Sequence, residues 1–163
     1  MSKQVGLSNI EGEFKSGRTA AIKVDKGWGY ELHIVNDPAY CMKKLVFTKK
    51  DAQFSMHFHK DKKETWYVEQ GEFDVEFILT ETAERRKVTL GKGDVWTNET
   101  LFPHKLICRT EFAEITEVST YDTKEDNYRV EPGDSQKEEA GKKAIVDTIP
   151  KTLFHKMERT SIE

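Results

Sequence analysis

The run Ser55–Gly71, S-M-H-F-H-K-D-K-K-E-T-W-Y-V-E-Q-G, gathers His57, His59 and Glu64 into one hairpin-sized stretch. Side chains along a strand alternate between faces, so the imidazoles of His57 and His59 point the same way, about 7 Å apart. The polar run K-D-K-K cannot be a core strand and predicts a turn, after which Glu64 opens a second strand that Gly71 closes. Two neutral imidazoles and a carboxylate suit one divalent transition ion (zinc, manganese, iron or nickel) and call for a fourth ligand from elsewhere in the chain. His104 is the natural fourth. Gly93-Asp94 marks a turn, Val95–Thr97 a short strand, and Pro103 restricts the backbone immediately before this histidine.

Around such a centre, aromatic and basic side chains suggest a ligand class. Trp28, Tyr30, Trp66 and Trp96 offer faces that stack on the C–H faces of sugar rings, while Lys105 and Arg129 offer positive charge for a phosphate. Each has a plainer alternative. Trp28 and Tyr30 equally read as an aromatic plug closing a barrel end, and Arg129 as one half of a surface ion pair with Glu125 or Asp126. His33, in E-L-H-I-V, reads as an ordinary partly buried strand histidine rather than a fifth ligand.

The elements that must position these residues are short strands punctuated by turns, an all-β barrel or sandwich pattern. Phe73, Val75, Phe77 and Leu79 alternate with acids in the clearest half-buried strand, and Arg85–Leu90 reads as its hairpin partner. Gln53–His59 reads as one strand with the histidines on one face and Phe54, Met56 and Phe58 on the other. That apolar face needs cover, from the N-terminal segment or a second subunit, so a homodimer is expected. Phe112–Ser119 ends the strand series, with Glu114 and Glu117 on opposite parities, so at most one of them faces inward.

The 163 residues, 36% hydrophobic, fit a single domain, and the 34% charged fraction points to solvated extensions. The expected organisation is an N-terminal arm (1–19), a barrel (20–130) and a charged C-terminal extension (131–163) that begins as a linker, with an edge strand over Ala144–Ile149 and helical turns over Lys151–Glu158. The net charge of −3 without a basic stripe argues against nucleic acid. Cys41 and Cys108 read as reduced, buried thiols, and the lack of any long apolar run predicts a cytoplasmic protein with no membrane partner.

The pattern H-x-H-x4-E-x6-G followed by G-D-x8-P-H resembles the two motifs of the cupin superfamily. That resemblance implies a jelly-roll β-barrel holding one metal through His57, His59, Glu64 and His104. The second motif departs from the common form, because Phe102-Pro103-His104 lacks a glycine before the histidine. Over Trp28–Arg129, the stretches W-G, S-M-H-F-H-K-D-K-K-E-T-W, F-P-H-K-L and E-V-S-T-Y-D-T-K-E-D-N-Y-R are similar in order and spacing to the cupin-type phosphomannose isomerase domain. Where that family often has glutamine this chain has His57, so its metal shell resembles the general cupin set.

This likeness implies aldose–ketose isomerisation of a sugar phosphate. Glu117, in the family's E-V segment, is then the proton-transferring acid, and its alternative is a surface carboxylate paired across strands. Two other readings follow from the same residues: an oxidative enzyme of the dioxygenase type at a three-histidine, one-glutamate centre, or a non-catalytic module for a sugar or nucleotide sugar.

Overall fold

The computed structural model describes residues 20–140, together with the backbone of a short strand pair, β1 (Val5–Gly6) and β2 (Gly17–Arg18). That antiparallel pair lies within the span expected as an arm. The rest of the arm, the Ala144–Ile149 strand and the Lys151–Glu158 turns lie outside the described residues.

The other strands are β3 (Ile22–Lys26), β4 (Gly29–Asp37), β5 (Tyr40–Phe47), β6 (Met56–Phe58), β7 (Glu64–Gln70), β8 (Phe73–Leu79), β9 (Glu84–Leu90), β10 (Val95–Asn98), β11 (His104–Cys108), β12 (Ala113–Ser119) and β13 (Tyr128–Glu131). They form a six-stranded sheet, in order β10-β7-β12-β5-β4-β3, facing a five-stranded sheet, β13-β6-β11-β8-β9. All pairings are antiparallel, so the expected all-β, jelly-roll-like barrel is what forms.

The inward rows of three adjacent strands change polarity at one level. Along β5 they run Cys41, Lys43, Leu45, Phe47; along β7, Glu64, Trp66, Val68; along β12, Ala113, Ile115, Glu117, Ser119, all buried. Register aligns Ile115 with Leu45 and Val68, and Glu117 with Lys43 and Trp66. One end of the barrel therefore packs apolar side chains, including Phe47, Phe73, Val75 and Leu106, each worth roughly 1.5–3 kcal/mol when buried. The other end collects charge. Between β7 and β8 the chain reverses at Gly71, where φ of 80° suits glycine and a Cβ would strike Thr110 and Ala113.

Two expectations are corrected. The ladder containing the histidines starts only at Met56, because Gln53–Ser55 makes a single bridge, Gln53 to Ile107, instead of continuous pairing. Freed from strict alternation, Phe54 turns inward onto Trp28 and Phe47, with ring centroids 4.7 and 5.2 Å away. Met56 is fully buried, and Phe58 stacks on Tyr128 of β13 at 5.2 Å.

The second correction concerns the start of the supposed linker. Residues 134–140 are helical and docked on the barrel. The side chain of Gln136 accepts from the Gly133 N–H at 3.0 Å, one half of a capping box, and the Lys137 N–H donates back to the Gly133 carbonyl at 3.1 Å.

Candidate metal centre

His57 in β6 and His104 at the head of β11 are register partners, and His59 follows one residue beyond β6. Their ring centroids lie 4.7 Å (57–104), 5.0 Å (57–59) and 5.9 Å (59–104) apart. The three rings are buried, and one ligand nitrogen from each falls within 4.8 Å of the other two. Glu64 reaches the cluster from the opposite sheet, at the start of β7. Its Oε1 is 2.9 Å from His104 Nε2, and its Oε2 is 3.9 Å from His59 Nε2.

The nitrogens that face away fix the tautomers. Nδ1 of His57 contacts the Ser55 carbonyl at 2.8 Å, Nδ1 of His104 the Phe102 carbonyl at 2.8 Å, and Nδ1 of His59 the Asp126 carbonyl. A carbonyl only accepts, so each Nδ1 carries the proton and each Nε2 is left with a lone pair. Burial, reinforced by the neighbouring His104, pushes His57 down to about 3; burial also lowers His59. Nε2 of His104 is fully buried, with no hydrogen-bond donor to it among the described residues and the Glu64 carboxylate 2.9 Å away. A buried lone pair without a donor, beside two others and a carboxylate, is the environment a divalent cation fits. The cluster has the geometry to hold one.

Electrostatics around Glu64 centre on Lys62. Its buried ammonium lies 2.6 Å from Glu64 Oε2, 2.7 Å from Glu117 Oε1 and 3.4 Å from Asp122 Oδ1, and Lys43 lies 2.6 Å from Asp122 Oδ2. Burial opposes the Lys62 charge, but Glu117, Glu64 and Asp122 outweigh it and hold the group well above its ordinary pKa. Burial likewise opposes ionisation of Glu64, and Lys62 with His104 holds it well below the usual carboxylate range. Asp126 anchors the K-D-K-K turn. Its carboxylate accepts the N–H groups of Lys60, Asp61 and Lys62 at 2.7, 3.1 and 2.8 Å.

A cavity of roughly 990 Å³ opens onto the centre. His57, His59, Glu64, Glu117, Trp28 and Arg129 line it, as do Lys43, Lys62, Asp122 and Lys124. Trp28 is also core, stacked on Phe47 at 4.5 Å. Arg129 makes no ion pair among the described residues; Asp126, one expected partner, is instead committed to the turn.

Tyr30, Trp66, Trp96 and Lys105 are not among the cavity walls. Tyr30 sits under the Lys23 ammonium, 4.7 Å from its ring centroid. Trp66 is fully buried, edge-on to His104 at 5.4 Å. Trp96 packs on Phe77 and donates to Asn98, while Lys105, on the outward parity of β11, pairs with Glu76 at 3.1 Å.

Sequence reasoning missed Lys43, Lys62, Asp122 and the anchoring role of Asp126. A signal existed for Lys43, which shares the inward parity of Cys41, Leu45 and Phe47.

An all-β barrel with a buried histidine cluster at its polar end is the class of protein that fold and site define. The chain matches the family model described as Cupin over residues 19–135, well over half its length, and belongs to the cupin family.

No curated protein sequence matches it. Among solved structures it is similar to the capsular polysaccharide assembling protein CapF from Staphylococcus aureus, with a TM-score of 0.63, 14% identity, and coverage of 70% of this chain and 32% of that one. It is also similar to oxalate decarboxylase from Bacillus subtilis at pH 4.6, with a TM-score of 0.59, 19% identity, and coverage of 79% and 32%. A further structure of the Bacillus enzyme, described by its Mn(II) centers, gives a TM-score of 0.58 at 17% identity, with coverage of 79% and 32%. At these identities the likeness is one of fold, and the chain spans about a third of the length of those proteins. Among the described residues no helix is long and apolar enough to cross a membrane.

Proposed function

We propose that the protein is a metal-dependent cupin enzyme that moves a proton between neighbouring carbons of a small hydroxylated, anionic substrate, a sugar phosphate of the mannose 6-phosphate type. The carrying observation is the ion pair between Glu117 and Lys62 on the cavity wall, 2.7 Å apart and adjoining the Glu64 carboxylate through the same ammonium. His57, His59, His104 and Glu64 would hold a divalent ion, whose positive charge would polarise a carbonyl and the adjacent hydroxyl.

The chain's own residues do the rest. Lys62 holds Glu117 through Oε1, and Oε2 accepts no hydrogen bond among the described residues, leaving it as the atom that takes a proton from one carbon and returns it to the next. The hydroxyl proton moves between the two oxygens, so the reaction is redox-neutral. Lys124 and Arg129, on the cavity wall without ion pairs among the described residues, suit the substrate's phosphate. The isomerase-like motifs W-G, P-H-K-L and E-V support the same reading.

The donor set of three histidines and one glutamate also supports an oxidative or decarboxylating reading, and the fold likeness to a manganese-containing decarboxylase favours manganese. A coupled isomerase assay with metal-loaded protein decides between them. The proposal expects ketose formation that Glu117→Gln reduces by about 10²–10⁴-fold while metal content stays unchanged. Oxygen uptake or carbon dioxide release, with no isomerisation, would replace it with the second reading.

A further inference from the structure

The short run Gln53–Ser55, held to β11 by one bridge, leads through Met56 to His57. The Phe54 N–H bonds the Leu106 carbonyl at 3.0 Å, on the side of β11. On its other side no strand runs among the described residues. The chain after β13 takes that place: the Asp134 N–H donates to the Gln53 carbonyl at 3.2 Å, and the Gln53 N–H donates to Asp134 Oδ2 at 3.0 Å.

Between these bonds Gly133 lies flat on the Phe54–Ser55 peptide. A Cβ there would fall 2.2 Å from the Ser55 nitrogen and 2.3 Å from the Phe54 carbonyl carbon, distances that no side chain tolerates against backbone. A second glycine makes the matching contact from the barrel. A Cβ on Gly27 would fall 2.7 Å from the Asp134 carbonyl, and the Gly27 N–H donates to Ser135 Oγ at 3.1 Å. Two backbone segments far apart in sequence thus meet on glycines on both sides. The carbonyl of Ser55, on the clamped residue, accepts the Nδ1–H of His57. Ser135 and Gln136 at the same time line the cavity.

We infer that residues 132–136 form a strap that positions His57: by pressing on Phe54–Ser55 it fixes the carbonyl that sets the His57 tautomer and aims Nε2 at the centre. Gly133 and Asp134 are positioning residues rather than ligands. Because groups that orient a histidine commonly control metal affinity about 10–100-fold, the strap belongs to the working site although it lies beyond the last barrel strand. The inference rests on the proposed metal centre for its consequence, though the tautomer itself is a property of the metal-free chain.

The test uses the full chain with Gly133→Val and Asp134→Ala, and Gly91→Ala as control, since Gly91 has only the Asp94 carboxylate nearby at 3.9 Å. In metal-free protein, nitrogen-15 correlation spectra should show His57 only as the Nδ1–H tautomer in wild type and the control, and as mixed tautomers in the two strap variants. Zinc binding by the variants should weaken about 10–100-fold while their circular dichroism stays that of a folded barrel. Retention of a single Nδ1–H tautomer in both strap variants overturns the inference. Should Gly133→Val fail to fold, Asp134→Ala decides alone. Should the wild type bind no metal, the metal reading fails, and the tautomer spectra still decide the strap.

Discussion

Lys62 and Glu64 stand two residues apart in the chain and 2.6 Å apart in space, both almost wholly withdrawn from solvent. The K-D-K-K turn places an ammonium against the carboxylate that opens β7, and Glu117 and Asp122 share the same cation. The ion pair fixes Oε2 of Glu64, leaving Oε1 on the side of His104.

Replacing Lys62 by methionine removes the shared cation and strands buried carboxylates. Stability should fall by about 3–5 kcal/mol, and adding Glu117→Gln to the same chain should restore part of the loss. Urea denaturation of the single and double variants checks this. Additive losses would show that the groups are not coupled.

Acid should weaken the metal-free protein through its histidines. His57 titrates at about 3 in the fold against an ordinary 6.5, so below 6.5 the unfolded chain binds a proton that the native chain refuses. Stability from this group is therefore complete above about pH 6.5 and drains away as pH falls toward 3, by roughly 1.4 kcal/mol per unit. His59, also lowered, acts in the same direction. Denaturation curves at a series of pH values should have a shallower slope in His57→Gln than in wild type, and equal slopes would refute the assignment.

Asp126 touches the centre only through its backbone, yet its carboxylate carries three N–H groups of the turn between His59 and Glu64. Asp126→Ala should cost about 1–3 kcal/mol for the donors it leaves unpaired and weaken metal binding about tenfold or more. Calorimetric titration with zinc reads the second effect. Unchanged affinity would mean that the turn orders itself without the aspartate.

Arg129 tests substrate charge. If it meets a phosphate, Arg129→Ala should weaken mannose 6-phosphate binding by about 1.5–3 kcal/mol and leave unphosphorylated mannose nearly unaffected. Equal effects on both sugars, measured by calorimetry on metal-loaded protein, would assign Arg129 to structure instead.

Much of this was legible locally. The alternation of Phe73, Val75, Phe77 and Leu79, the β8–β9 hairpin and the shared face of His57 and His59 are period-2 patterns that a strand must obey. What local pattern could not carry was the company a charge keeps. Lys62 in K-D-K-K has the composition of a solvated turn, and its burial depends on Glu117, 55 residues away, and on Asp122. Phe54 violated its expected face because the ladder breaks at Gln53–Ser55. Pro132-Gly133 carries the signature of a linker, while Gly133 serves as a contact surface for Phe54–Ser55.

The proposed metal centre stands on three histidine lone pairs that converge on one point. Elemental analysis of purified wild type beside a His57→Ala, His59→Ala variant tests it most directly, with circular dichroism confirming that both are folded. About one divalent transition ion per wild-type chain is expected, with near-complete loss in the variant, whose remaining His104 and Glu64 cannot hold it alone. Wild-type metal content in the folded variant would contradict it.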